Sequence, residues 1–419
     1  MSRVKVRAAA AALAAIALVA VSPVGSAADE TADLDPATKF FIPPPQPGAL
    51  QQIDELRAAH DRTSADLLRT MIRTPQAVWV EAGSPAEVED EVRRTMRQAG
   101  RQGGTLPVLV LYNIPFRDCA QVSAGGATNA DEYLGWVDGV AKGIGSREAM
   151  IILEPDGLGI IPWYTNINNE LEWCQPMEAD PETAAAERFF MLNEALDRLN
   201  QQPGVRVYLD ATHSAWLGVG DASDRLVAAG VDRAAGFFLN VSNYRLTEHL
   251  RKYGTWISSC LAFAANPEEG GWRLGRYDFC ASQYFPANPN DFSTWHLTDE
   301  WYEANLGSAV PTKAFVVDTS RNGQGPWTPP AGVYPDPQDW CNPPGRGLGL
   351  RPTADTGDPL VDAFLWVKTP GESDGECTRG LGPTGTVDPE WGQVDPGAGE
   401  WFPAQALQLV RLAVPPLGN

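Results

Sequence analysis

Apolar runs with strand composition recur along the chain, and nearly all of them close on polar residues. In order they are AVWVEAG around Trp79, LPVLVLYNIPFRDC ending at Cys119, AMIILEPDG ending at Gly157 and VRVYLDATH ending at His213. AAGFFLNVSNY ending at Tyr244, KAFVVDTSRNG ending at Gly323 and VDAFLWVKTPGESDG ending at Gly375 complete the set. Runs that are apolar throughout read as strands buried on both faces. Amphipathic helical patterns lie between many of them. SPAEVEDEVRRTMRQAG has a capping serine, Ser84, ahead of apolar Val88, Val92 and Met96. DPETAAAERFFMLNEALDRLNQQPG opens on acids and stops at Pro203-Gly204.

Alternating strands and helices predict an α/β fold with a parallel sheet. An open doubly wound sheet would gather its ligand at one switch point, whereas a (β/α) barrel gathers it over many strand ends. The wide spread of strand-end polar residues favours the barrel. GRGLGL at 345–350 follows Trp340-Cys341-Asn342-Pro343-Pro344 rather than a strand, so it reads as a turn and not as a phosphate loop. Seven runs rather than eight leave either a missed strand or an incomplete barrel. Three long irregular tracts, 255–300, 323–360 and 376–400, are expected as loops that roof a site.

Composition narrows this further. A chain of 419 residues, 43% hydrophobic with 14 Trp, buries a large core and is not disordered. Its net charge of −21 argues against nucleic acid as a partner. Residues 1–28 carry Arg3, Lys5 and Arg7, a short Ala-rich apolar run and then Ser26-Ala27-Ala28, the layout of a secretory signal peptide. The expectation is a secreted protein with no membrane association after cleavage. Six cysteines in an exported chain then imply three disulfides, with fifteen pairings open. None stands in a Cys-x-x-Cys pair, so no metal site is expected.

The strand ends supply Glu81, Asp118, Glu154, Asp156, Asp210, Asp318, Glu372 and Asp374. Only four His occur, with no GxSxG or HExxH, so serine-triad, zinc-protease and nicotinamide chemistry are poorly supported. Converging carboxylates suit glycoside hydrolysis, which needs one protonated acid and one ionised carboxylate across the bond. The acid must be held protonated by burial or by neighbouring negative charge. Trp79, Trp216 and Trp340 adjoin polar loop residues and read as sugar-stacking platforms, while Trp366, inside AFLWVK, reads as core.

LYNIPFRDCAQVSAGG and IILEPDGLG resemble the signature motifs of glycoside hydrolase family 6, the inverting cellulases, and YLDATHSAW, DWCNPPGRG and WVKTPGESDG resemble further blocks in the same order. The resemblance covers the chain from about residue 40 to its end, and the SSCLAFAANPEEGGWRLGRYDFC stretch is similar to loops of the bacterial exo-acting cellobiohydrolases. It implies a distorted seven-stranded parallel (β/α) barrel, TIM-like, with long loops over the C-terminal strand ends. Residues 40–419 would form a single catalytic domain behind a short leader, 29–39, with no carbohydrate-binding module, no cofactor and a monomeric state. Cellulose and cello-oligosaccharides are the implied partners.

Carried over by position, the resemblance makes Asp156 the general acid and Asp118 the carboxylate that keeps it protonated. Tyr112 would press on the distorted sugar, Asp210 would lie near the reacting sugar, and Asp374 would be the base, with Arg321 as its charge partner. Lys368 and Glu372 match sugar-binding positions. Trp79 and Trp340 match platforms on the non-reducing side, and Trp216 one on the leaving-group side with His213 close by. Glu154 is assigned to structure, as a buried support. Cys119 with Cys174 and Cys341 with Cys377 match family disulfides, which leaves Cys260 with Cys280. Two departures stand out: Ala124, beside Ser123, where the family often has a water-holding serine, and Val219 where some members carry another tryptophan.

Overall fold

The computed structural model describes residues 34–120 and 124–418. The expected signal peptide, the first part of the leader (29–33) and Ser123 lie outside the described residues. Among the described residues no helix is long and apolar enough to cross a membrane.

Each of the seven apolar runs forms a strand: β1 (Val78–Val80), β2 (Val108–Leu111), β3 (Ala149–Leu153), β4 (Val205–Asp210), β5 (Gly236–Leu239), β6 (Ala314–Asp318) and β7 (Val361–Leu365). They pair in sequence order and in parallel, giving one curled sheet. Side chains alternate across it, as strand geometry requires. Val110, Ile152, Tyr208, Phe238, Val316 and Ala363 fill the inside, while Leu109, Ile151, Val207, Phe237 and Val317 pack under the helices. β1 and β7 share no ladder. Their seam is held instead by the Ala77 N–H on the Trp366 carbonyl at 2.9 Å and the Trp79 indole N–H on the Val367 carbonyl at 2.8 Å. Among the described residues the sheet has seven strands, so the count reflects an incompletely closed barrel.

The helices are α1 (Pro47–Ala58), α2 (Arg62–Met71), α3 (Pro85–Arg101), α4 (Ala130–Ile144), α5 (Ala184–Leu199), α6 (Val219–Ala228), α7 (Thr247–Ala265), α8 (His296–Asn305) and α9 (Pro403–Arg411). Ser84 caps α3 in a reciprocal box with Glu87. α4 lies so close to α3 that a Cβ on Gly139 would fall 2.3 Å from the Pro85 carbonyl oxygen. α5 begins later than its acidic lead-in suggests, because residues 181–183 form a turn closed by the Ala184 N–H on the Asp180 carbonyl at 2.9 Å. Trp366 is core: α1, α2 and α9 pack around it, and its indole N–H meets the Leu350 carbonyl at 2.9 Å.

The tract 255–300 departs from the expectation of an irregular roof. It contains the second half of α7, whose Trp256, Ile257, Cys260, Phe263 and Ala264 are buried at helical spacing, and the start of α8. All six cysteines are paired, as Cys119–Cys174, Cys260–Cys280 and Cys341–Cys377.

Candidate active site

The strand-end acids divide into two groups. Glu154, Asp210 and Asp318 are buried and bind backbone amides that would otherwise be left without partners where strands stop. Glu154 accepts the Asn113 N–H at 2.9 Å and the Ile114 N–H at 3.0 Å, joining the ends of β2 and β3. Asp210 accepts Leu158, Gly159 and Thr212 amides at 3.3, 3.2 and 2.9 Å. Asp318 accepts Ser242, Ser320, Val367 and Lys368 amides at 2.9–3.1 Å, gathering the ends of β5, β6 and β7. The backbone between these staples is tightly turned: Asp118, Glu154, Asp156, Thr212 and Ser242 all have φ near +60°, a conformation that costs about 1 kcal/mol or more for a non-glycine residue. Such strain persists only where the surroundings enforce it.

The second group faces a cavity of about 570 Å³ over these strand ends. Asp118, Asp156 and Asp374 line it together with Tyr112. Trp79, Trp216, Trp340, His213, Lys368 and Glu372 complete the sequence-predicted set on its wall. Asp210 and Arg321 do not line it; Asp210 places its charge beside Asp156, and Arg321 pairs with Asp374.

Arg321 grips Asp374 with both ends of its guanidinium, each contact 2.9 Å. Oδ2 of Asp374 also accepts the Tyr244 hydroxyl at 3.1 Å and the Asn342 N–H at 2.9 Å. Oδ1 keeps only Arg321 and the Lys368 ammonium at 3.8 Å, so it has room to accept from a water. Burial alone would raise this carboxyl, but Arg321, Lys368 and the hydrogen bonds outweigh it and hold it below the usual aspartate range. Asp374 is therefore ionised.

Asp156 is driven the opposite way. Burial first, then the charges of Asp210 and Asp118, push it well above the aspartate range. Asp210 itself is raised to about 6, by burial that its three amide bonds only partly offset. Among these crowded carboxyls Asp156 is the one that keeps its proton. Tyr112 meets the Trp79 ring edge-on at 5.5 Å, with the Arg117 guanidinium 4.6 Å over its ring. Its phenol is raised well above its usual value by burial and by Asp156, so it stays neutral.

The sugar-facing candidates are likewise fixed. Nδ1 of His213 accepts the Ala215 N–H at 3.2 Å, and burial followed by Arg245 lowers the ring to about 3, leaving a neutral imidazole with Nε2–H free to donate. Trp216 lies 5.7 Å from that ring, and the Tyr284 hydroxyl holds its carbonyl at 3.0 Å. Glu372 accepts the Gln46 amide at 2.6 Å and is raised by burial, with Lys368 opposing.

Of the long tracts, 323–360 contributes Asp339 and Trp340 to the wall and 376–400 contributes Ala398 and Gly399. The tract 255–300 contributes none and supports Trp216 from behind through Tyr284. Sequence reasoning missed Trp173, Ser242 and Arg245, which also line the cavity. Trp173 adjoins Cys174, and that neighbour was the available signal. Ala124 stands on the wall, while Val219 is fully buried in α6 and offers no surface to a ligand.

A cavity with one protonated and one ionised carboxyl, walled by indoles, defines a glycosidase-type site. The chain belongs to glycosyl hydrolases family 6, whose sequence model matches residues 36–413. It is 33% identical to Endoglucanase A of Cellulomonas fimi over 90% of its length, spanning 62% of that protein. It is also 33% identical to Endoglucanase 1 of Streptomyces halstedii, over 98% of the chain and 99% of the relative. A probable 1,4-β-D-glucan cellobiohydrolase C of Aspergillus niger is 31% identical over 82% of the chain and 69% of the relative. Among solved structures, the endoglucanase Cel6 of Mycobacterium tuberculosis in complex with methyl-cellobiosyl-4-deoxy-4-thio-β-D-cellobioside superposes with a TM-score of 0.62. That match has 32% identity and covers 90% of this chain and 97% of that one.

Proposed function

We propose that the protein is a secreted cellulase that hydrolyses β-1,4-glucosidic bonds with inversion at the anomeric carbon. The observation that carries this is the opposed titration of two carboxyls on one cavity: Asp156 is held protonated by burial and its acidic neighbours, and Asp374 is held ionised by Arg321. Asp156 donates its proton to the glycosidic oxygen as the bond breaks. Asp374 takes the proton of the attacking water through Oδ1, directly or along a chain of waters. Asp118 and Asp210 keep negative charge near Asp156 and so keep its proton in place. Tyr112, backed by Trp79, holds the ring at the cleavage point distorted. Trp79 and Trp340, with Lys368 and Glu372, bind the non-reducing side, and Trp216 and His213 the leaving group.

The finer reading is release of cellobiose from non-reducing ends. It is supported by the walls that residues 339–340 and 398–399 add to the cavity, which hinder approach to the middle of a chain. Endo cleavage is the second reading, favoured by the relatives named endoglucanases. Viscosity of soluble carboxymethylcellulose, followed against reducing ends released, separates them. End-wise release predicts little viscosity loss per new end, and a rapid early fall would establish internal cutting instead.

A further inference from the structure

Trp173 lines the catalytic cavity, and nothing in the reading above uses it. It is 53% exposed, the most exposed tryptophan among the described residues, against 36% for Trp340 on the same wall. Exposed aromatic surface of this size is unfavourable in water, and on a loose loop it would fold inward. Trp173 is held out. Its hairpin, residues 163–174, pairs Thr165 with Leu171 and closes the Trp163 N–H on the Cys174 carbonyl at 2.8 Å. Glu172 is clamped by Arg225, whose fully buried guanidinium also binds Asp221 at 2.8 Å and the Leu158 carbonyl at 2.8 Å, 4.7 Å over the Tyr164 ring. Side chains alternate along a strand. Anchoring Glu172 inward therefore turns Leu171 and Trp173 outward, and both are more than half exposed.

Trp173 also adjoins Cys174, whose disulfide partner Cys119 follows Asp118 in the chain. The same β3–α5 connection supplies Gly159, where an added Cβ would fall 2.8 Å from the Trp216 ring. Arg225, which clamps Glu172, belongs to α6, the helix that follows Trp216, so the hairpin is tied to the Trp216 side of the cavity. We propose that Trp173 is a second stacking platform for a β-1,4-linked glucosyl unit on the leaving-group side. The inference rests on the glucanase reading given above.

Calorimetric titration with cellotriose and cellohexaose tests it, using Asp156→Asn protein so that ligand survives. Adding Trp173→Ala should weaken cellohexaose binding by about tenfold and leave cellotriose within about twofold of its parent. Adding Trp173→Tyr instead should restore most of the loss. Unchanged cellohexaose affinity in the Ala variant, or equal weakening of both ligands with a lowered Tm, overturns the platform and leaves the glucanase reading standing. If the Asp156→Asn parent binds neither sugar and wild-type protein turns over neither, the glucanase reading falls and the platform with it.

Discussion

Arg321 and Asp374 form a two-point ion pair, both contacts 2.9 Å, in which neither side chain is more than 7% exposed. The pair both places the carboxylate and keeps it charged. Arg321→Lys retains the cation but loses the fork. The acid limb of kcat/KM should move to higher pH, because the Asp374 carboxyl rises once part of its stabilisation is gone, and kcat should fall about tenfold or more. A pH–rate profile reads both. Removing the cation altogether, as in Arg321→Ala, leaves a buried unpaired charge and should destabilise the fold by about 3–5 kcal/mol. Because the Asp374 carboxyl is lowered by folding, the stability it contributes is present above the ordinary aspartate value and is lost as pH falls through its folded one.

Asp156→Asn should lower turnover of cellulose by about 10²–10⁴-fold with cello-oligosaccharide binding largely retained. A near-normal rate in this variant would remove Asp156 from the acid role. Asp210→Asn acts at one remove. Burial is the main force on Asp156, and Asp210 supplies the next. Without that charge the acid gives up its proton at lower pH, so the alkaline limb of kcat should move toward acid. An alkaline limb that stays put would assign Asp210 to its amide bonds alone.

Asn342 is the second anchor of the base. Its N–H reaches Asp374 Oδ2 at 2.9 Å and its Oδ1 accepts the Asp374 N–H at 2.8 Å, while Nδ2 donates to Ser373, Gly375 and Asp395, each at 2.9 Å. Its φ of +39° is one that Asn tolerates better than most residues. Asn342→Ala should cost about 1–3 kcal/mol of stability and depress kcat more than KM. Denaturant unfolding and steady-state kinetics measure the two effects.

Glu154 is raised to about 7 from an ordinary value of 4.5, mainly by burial, against its amide bonds. Folding therefore favours its protonated form. Between those two values the folded state binds a proton that the unfolded chain has lost, so stability contributed by this group declines as pH rises through that window. Glu154→Gln cannot titrate. Tm followed from pH 4.5 to pH 7 should fall less steeply in the variant than in wild type, and parallel curves would refute the assignment.

All seven strands were legible because a strand buried on both faces leaves an unbroken apolar run. The middle of α7 was not. Gly254 precedes Trp256, and Ser258 and Ser259 interrupt the buried Trp256, Ile257, Cys260 and Phe263, so the run looks irregular although the spacing is helical. At the site, Asp118, Asp156 and Asp374 could be named from their motifs and Glu154 assigned to structure, yet that Asp210 and Asp318 bind backbone amides as Glu154 does could not be read. Glu154 and Asp156 share a φ near +60° two residues apart, yet one binds the Asn113 and Ile114 amides and the other lines the cavity, so tertiary partners far along the chain, which local pattern does not show, decide the direction. Trp173 escaped notice because its exposure is created by Arg225, a residue 52 positions away in the chain.

Proton NMR of the products in the first minutes after adding protein to cellohexaose tests the central claim most directly, since it reads the anomer before mutarotation. An acid at Asp156 working with an ionised Asp374 on water predicts fresh α-cellobiose. A β-anomer formed first would mean a covalent glycosyl-enzyme and retention, and would contradict the roles given to both residues.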